Sequence, residues 1–104
     1  MIRIAVLYPN TPNAKFDMDY FKDKHLRHIR SKLGPRGMVR VEMDRGTSGI
    51  DHDSPPPYAA VTYLVFKSVA SFRTAFSDVR EEILDDVKNF TDITPHIQVS
   101  EIVG

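Results

Sequence analysis

The spacing of apolar side chains switches along the chain between a two-residue and a three-to-four-residue period, and the switches mark out strands and helices. Residues 2 to 8 (Ile-Arg-Ile-Ala-Val-Leu-Tyr) are rich in β-branched and aromatic side chains. They stop at Pro9-Asn10-Thr11-Pro12-Asn13, where two prolines cannot continue a ladder. Both faces of this strand, Ile2/Ile4/Val6/Tyr8 and Arg3/Ala5/Leu7, are largely apolar, the pattern of a central strand covered on two sides. From Phe16 to Leu33 the period is helical, with Met18, Phe21, His25, Ile29 and Leu33 on one side and Asp19, Asp23 and Arg30 on the other. Gly34-Pro35 is expected to end that helix, the glycine as a left-handed cap and the proline by forbidding continuation.

Residues 37 to 45 alternate Val39/Val41/Met43 with Arg40/Glu42/Asp44, which predicts a half-exposed outer strand. The stretch from Gly46 to Pro57 ends in three consecutive prolines and cannot pair regularly; a loop of that length is more often functional or disordered than a plain connector. Tyr58 to Phe66 is the strongest strand signal in the chain and is apolar on both faces. Ser68 suits the N-cap of a second helix carrying Val69, Phe72, Phe76, Val79, Ile83 and Val87, with a break expected near residues 79–81. Thr94 to Val103 reads as the last strand, with Pro95 at its start where a missing N–H is tolerated.

The order β-α-β-β-α-β is that of the ferredoxin-like α+β fold, four antiparallel strands with two helices on one face, and residues 1–104 fill it as a single domain. Two helices cover one side of the sheet. The apolar character of the other side predicts a homodimer closed through sheet faces.

Composition narrows the partners. Fourteen Lys plus Arg balance fourteen Asp plus Glu, and zero formal charge argues against a general nucleic-acid-binding surface, which needs a clustered excess of Lys and Arg. The absence of cysteine excludes disulfide scaffolds, iron–sulfur clusters, thiolate zinc sites and cysteine nucleophiles, and leaves the cytoplasm as the expected location. The opening apolar stretch is too short for a signal h-region, and no run approaches the ~20 residues that span a bilayer, so no membrane association is expected. Neutrality conceals an opposition: residues 15–36 carry seven Lys or Arg against three Asp, whereas residues 78–92 carry six acids against two bases. These segments are expected to pair, within a subunit or across a dimer.

His25 is the residue that breaks the apolar rule of the first helix. At 100° per residue it lies within about 40° of Met18, Phe21 and Ile29, so it points toward the core. A buried imidazole is either a packed histidine bonded to main chain or an acid–base group at the floor of a cleft between helix and sheet, where its ordinary pKa suits proton transfer. Tyr8, at the end of the first strand, is placed to bring its hydroxyl to the mouth of the same cleft. His28 flanks the same face and reads as rim. His52, in Asp51-His52-Asp53, reads as a solvated loop residue, and His96 as a border of the cleft or the dimer seam. His25-x-x-His28 supplies two imidazoles where zinc or iron needs three or four protein ligands, so no metal is expected. No Gly-x-Ser-x-Gly elbow and no glycine-rich phosphate loop is present, and no cofactor is expected.

Several motifs in fixed order carry a family likeness: Met1 to Asn10, Phe16-Asp17-Met18-Asp19-Tyr20-Phe21 followed by His25, Gly34-Pro35-x-Gly37, Pro57-Tyr58, Phe66-x-Ser68-x-x-x-Phe72, and the tail from Asn89-Phe90-Thr91-Asp92 through Pro95 to Glu101. Together they resemble the EthD family over nearly the whole chain. The resemblance implies a dimeric α+β barrel in which each subunit keeps a pocket between sheet and helices, and a catabolic or accessory role like that of the founding member, tied to bacterial degradation of ethyl tert-butyl ether. Related superfamily members include lactone isomerases, polyketide cyclases and dehydratases, cofactor-free monooxygenases and haem-degrading enzymes. His25 matches the Tyr-x-x-x-x-His type of position from which relatives direct a histidine into the pocket. Haem is disfavoured, because residues 69 to 88 hold no histidine and the chain has no tryptophan. Two classes of function follow: an isomerase or lyase in which His25 shuttles a proton on a small molecule oriented by Tyr8 and walled by Met18, Phe21 and Ile29, or a non-catalytic metabolite-binding module. A cofactor-free monooxygenase is a third.

Overall fold

The computed structural model describes residues 1–104. Strands β1 (Ile2–Pro9), β2 (Arg40–Arg45), β3 (Tyr58–Phe66) and β4 (His96–Glu101) form one antiparallel sheet in the order β2-β3-β1-β4. Two helical segments, α1 (residues 18–33) and α2 (Val69–Val87), pack on one face of it. This is the ferredoxin-like α+β arrangement that the order of elements predicts. β1 and β3, apolar on both faces, take the centre, and the alternating β2 is an edge.

Register decides which side chains meet the helices. Ile2, Ile4, Val6 and Tyr8 stand opposite Phe66, Leu64, Thr62 and Ala60, and this set turns toward α1 and α2. The resulting core has two parts. At one end Ile4, Leu64 and Phe66 pack against Ile29, Leu33 and the Phe72-to-Ile83 stripe of α2; at the other, Tyr8 and Ala60 pack against Phe21, Val87, Phe90 and Ile93. Val6 and Met43 touch both. The line Met43, Thr62, Val6, Ile97 crosses the sheet in register between the two parts, and His25 holds the matching place on α1, between Phe21 and Ile29.

Caps fix the helix starts. Asp17 accepts from the Tyr20 N–H at 3.1 Å, and Ser68, as expected, accepts from the Ser71 N–H at 3.1 Å. Each such cap is worth about 1 kcal/mol. Phe16 lies outside the helix, in an isolated bridge with Thr91.

Three expectations are corrected. Gly34 has ordinary right-handed backbone (φ −53°) inside a short 3-10 turn, Gly34–Arg36, and it is Gly37 that takes the left-handed conformation (φ 98°). Pro35 sits in the first turn of that segment, where its missing N–H is not needed, so Gly34-Pro35 tightens the helix end before Gly37 reverses the chain. α2 does not break near residues 79–81, because Val79 and Ile83 continue the buried stripe of Phe72 and Ala75, and that burial holds the helix together. β4 is shorter than the predicted strand, ending at Glu101.

The opposed charge segments pair within one subunit. α1 and α2 run antiparallel, with His25 on Asp86 (2.7 Å), Lys32 on Glu82 (2.6 Å) and Arg36 on Asp78 (3.9 Å) along their junction. The latter two are exposed and contribute at most about 1 kcal/mol each. The loop after β2 is tied down by Asn10, whose backbone N–H reaches the Pro57 carbonyl at 3.0 Å and whose amide donates to the Pro56 carbonyl at 2.9 Å. No helix is long and apolar enough to cross a membrane.

Candidate functional site

α1 is not uniformly α-helical. Phe21–His25 forms a π-helical turn between Met18–Tyr20 and Leu26–Leu33. A π turn accommodates one extra residue and rotates the side chains before it relative to those after it, a device found often at functional sites. Here it ends on His25, which is only 2% exposed. The imidazole lies nearly parallel to the Phe21 ring (18°, centroids 6.1 Å apart) and 4.6 Å from the centroid of Phe90, so aromatic packing fixes its plane.

Its edge is fixed by charge. His25 Nδ1 lies 2.7 Å from Asp86 Oδ2, while the other carboxylate oxygen, Oδ1, accepts from the Tyr20 hydroxyl at 2.6 Å and the Asn89 amide at 3.0 Å. Burial would raise the Asp86 pKa, but the three donors outweigh it and hold the carboxyl below its ordinary value. An ionised carboxylate only accepts, so Nδ1 must carry the proton that it shares with Asp86. Burial in apolar surroundings also lowers the His25 pKa, a pull that Asp86 only partly offsets. The ring is therefore neutral at pH 7, protonated on Nδ1, with a lone pair on Nε2.

That ring borders a cavity of about 50 Å³ lined by eleven residues, nine of them apolar. The polar two are His25 and Thr62. Val6 and Ile29 belong to the floor and one wall, and Ile83 and Leu84 bring α2 to the other side. Ile97 of β4 also lines it and is 51% exposed, which puts the mouth at the β4 edge of the sheet. Thr62 is 1% exposed, and its Oγ1 has no hydrogen-bond partner in the chain.

Of the five residues singled out from the sequence, the structure brings His25 and Ile29 together at this cavity. Tyr8, Phe21 and Met18 lie instead in or against the aromatic cluster on which the imidazole rests. Tyr8 is 1% exposed and meets Phe16, Phe21 and Phe90 edge-on with centroids 5.5–5.7 Å away, so its hydroxyl is not presented to the cavity mouth. The reason is the parity of β1: Tyr8 faces the helices, but one strand step beyond Val6, where Phe90 and Phe21 fill the space. His28 is half-buried, with Nε2 3.4 Å from the Glu82 carbonyl, and His52 and His96 are exposed. The Gly46 to Pro57 loop contributes no lining residue. Asp86, Tyr20, Asn89 and Thr62 were not expected. Two had a signal: Thr62 is the one polar residue in the helix-facing series Ala60-Thr62-Leu64-Phe66, and Asp86 lies three residues after the buried Ile83, beside the apolar stripe.

A family model described as the EthD domain matches residues 11–94. An EthD-like protein from Ralstonia eutropha JMP134 is 33% identical, with 99% of this chain and 92% of that one covered and a TM-score of 0.92. An ethyl tert-butyl ether degradation (EthD) family protein from Bacillus halodurans C-125 shares the fold at 15% identity (99% of both chains, TM-score 0.70). So does a DABB family protein with a ferredoxin-like fold from Mesorhizobium loti, also 15% identical (99% of this chain, 97% of that one, TM-score 0.60). No curated protein matches. A family model spanning most of the chain and a full-length relative at one-third identity agree with the motifs read from the sequence: the chain belongs to the EthD family.

Proposed function

We propose that the chain binds a small, mostly apolar organic molecule in the cleft between α1, α2 and the sheet, and moves a proton on it through His25. The observation that carries this is the tethered imidazole: Nδ1 is tied to Asp86, so Nε2 is the nitrogen left for the cavity that His25 lines. Nε2 takes a proton from a carbon beside a carbonyl; the C–H pair moves into the new C–C double bond and the carbonyl π pair moves onto oxygen. The imidazolium then returns the proton to the same or a different atom, which gives exchange or isomerisation with no net redox change. General base catalysis of this kind is worth about 10²–10⁴-fold. Asp86 is the positioning residue that sets the tautomer, and Phe21 and Phe90 hold the ring plane. The ether degradation named for the Bacillus halodurans relative supports a catabolic or accessory setting, and the absence of cysteine fits the cytoplasm.

A second copy of the chain belongs to the same reading. On the face of the sheet away from the helices, Ala5, Leu7 and Tyr63 are partly exposed and, with the buried Val61 and Val65, make an apolar stripe between Arg40/Glu42/Asp44 of β2 and His96/Gln98/Ser100 of β4. Packing that stripe against its own copy gives a closed, symmetric dimer.

The chemistry is tested with cyclopentanone in deuterated buffer, following α-hydrogen exchange by proton NMR. Wild-type protein is expected to accelerate exchange, and His25→Gln, folded by circular dichroism, is expected to fall to the buffer rate. Equal exchange by the two proteins sinks the catalytic assignment and leaves the non-catalytic binding module.

A further inference from the structure

The structure assigns Thr62 as the second polar contact of the cleft: its hydroxyl donates a hydrogen bond to an oxygen of the bound molecule, so the cleft selects compounds with one oxygen acceptor on an otherwise apolar body. This rests on the cleft reading above but on a different atom and a different element. Thr62 sits at the middle of β3, opposite Val6 on β1 and Met43 on β2, both apolar. Its helix-facing neighbours along the strand, Ala60 and Leu64, are apolar too. Its Oγ1 is the only side-chain nitrogen or oxygen that is fully buried without a hydrogen-bond partner in the chain.

A hydroxyl buried in that state is costly, and valine, of nearly the same shape, would fill the position without the cost. Thr62 borders the cavity while its Oγ1 is itself fully buried, so a turn about the Cα–Cβ bond is what brings the hydroxyl to a bound molecule. Thr62 and His25 are the cavity's two polar lining residues, and they approach it from different sides, one from the sheet and one from α1. A cavity of about 50 Å³ has room for the oxygen and a few carbons of a ligand, a water requiring roughly 10–15 Å³ on this measure. The rest of the molecule extends past Ile97 to the mouth. With Thr62 on the oxygen, Nε2 is left the neighbouring carbon, and the same hydrogen bond strengthens as charge develops on that oxygen during proton transfer. Ketones, aldehydes and esters fit this description. Hydrocarbons of the same shape leave the hydroxyl unsatisfied, and polyols and carboxylates bring polar groups that the apolar walls cannot meet.

The test pairs cyclopentanone with methylenecyclopentane, the same skeleton with CH₂ in place of oxygen, and reads binding by chemical-shift changes of cleft amides in wild type, Thr62→Ser and Thr62→Val. The expected result is at least tenfold tighter binding of the ketone than of the alkene by wild type and by Thr62→Ser. In Thr62→Val that preference should disappear while the thermal midpoint holds or rises. An undiminished ketone preference in Thr62→Val overturns the assignment, and so does equal binding of both probes by wild type, while the cleft itself stands. Binding of neither probe by wild type overturns the cleft reading and the Thr62 assignment with it.

Discussion

Replacing Asp86 with asparagine changes one atom and should invert the tautomer of His25. Three donors converge on the carboxylate: Tyr20 and Asn89 on Oδ1 at 2.6 and 3.0 Å, and His25 Nδ1 on Oδ2 at 2.7 Å. An amide keeps one acceptor. With two donors on the Oδ1 side, the amide oxygen settles there and the NH₂ group faces His25 Nδ1, which must then accept and move its proton to Nε2. Hydrogen bonds to a charged group are worth about 1.5–3 kcal/mol and neutral ones about 0.5–1.5. Tyr20 and Asn89 are partly or fully exposed, so the net loss of stability is about 2 kcal/mol, which lowers Tm by roughly 8–16 °C for a domain of this size. Calorimetry gives the stability, and nitrogen-15 shifts of the imidazole report which nitrogen carries the proton. The expectation is a less stable protein with an Nε2–H histidine and no cyclopentanone exchange beyond buffer. An unchanged Nδ1–H tautomer with wild-type exchange would refute the positioning role of Asp86.

Other outcomes follow from the same geometry. The His25 pKa is lowered by burial, so exchange activity should rise with pH through a midpoint below the ordinary 6.5. In that range the unfolded chain binds the proton more readily than the folded one. The His25 contribution to stability should therefore be full above 6.5 and decline as pH falls toward the folded-state value, with a further loss below 3.8 as Asp86 protonates; an NMR titration of the imidazole alongside urea melts checks both. A Cβ on Gly46 would run into the backbone carbonyl of Tyr58 and the Pro56 ring, so Gly46→Ala should lower the urea midpoint without changing the α-hydrogen exchange of the remaining folded protein. Leu7→Glu, on the sheet face away from the helices, should convert a dimer into a monomer by light scattering; a wild-type monomer would remove the basis for that prediction.

Much of the fold was legible because it is written in periodicity. The two-sided apolar β1 and β3 became the central strands, the alternating β2 an edge, and Ser68 the cap it resembles. Gly34 misled because glycine before proline satisfies both a 3-10 turn and a left-handed cap, and only the backbone distinguishes them. His25 was legible as a polar residue on an apolar helix face. Its partner was not, since Asp86 lies 61 positions away and meets it only because α1 and α2 run antiparallel. The π turn that aims His25 has no sequence mark in Phe21-Lys22-Asp23-Lys24-His25. Tyr8 shows the limit of counting faces: strand parity placed it on the helix side correctly, but the depth at which Phe90 and Phe21 close over it depends on the segment after α2.

A cyclopentanone soak followed by structure determination tests the central claim most directly. The ligand should occupy the cavity between α1, α2 and the sheet, with an α-carbon in van der Waals contact with His25 Nε2 and Nδ1 still on Asp86. A ligand seated elsewhere, or bound in the cavity with the imidazole turned away from it, would contradict the claim.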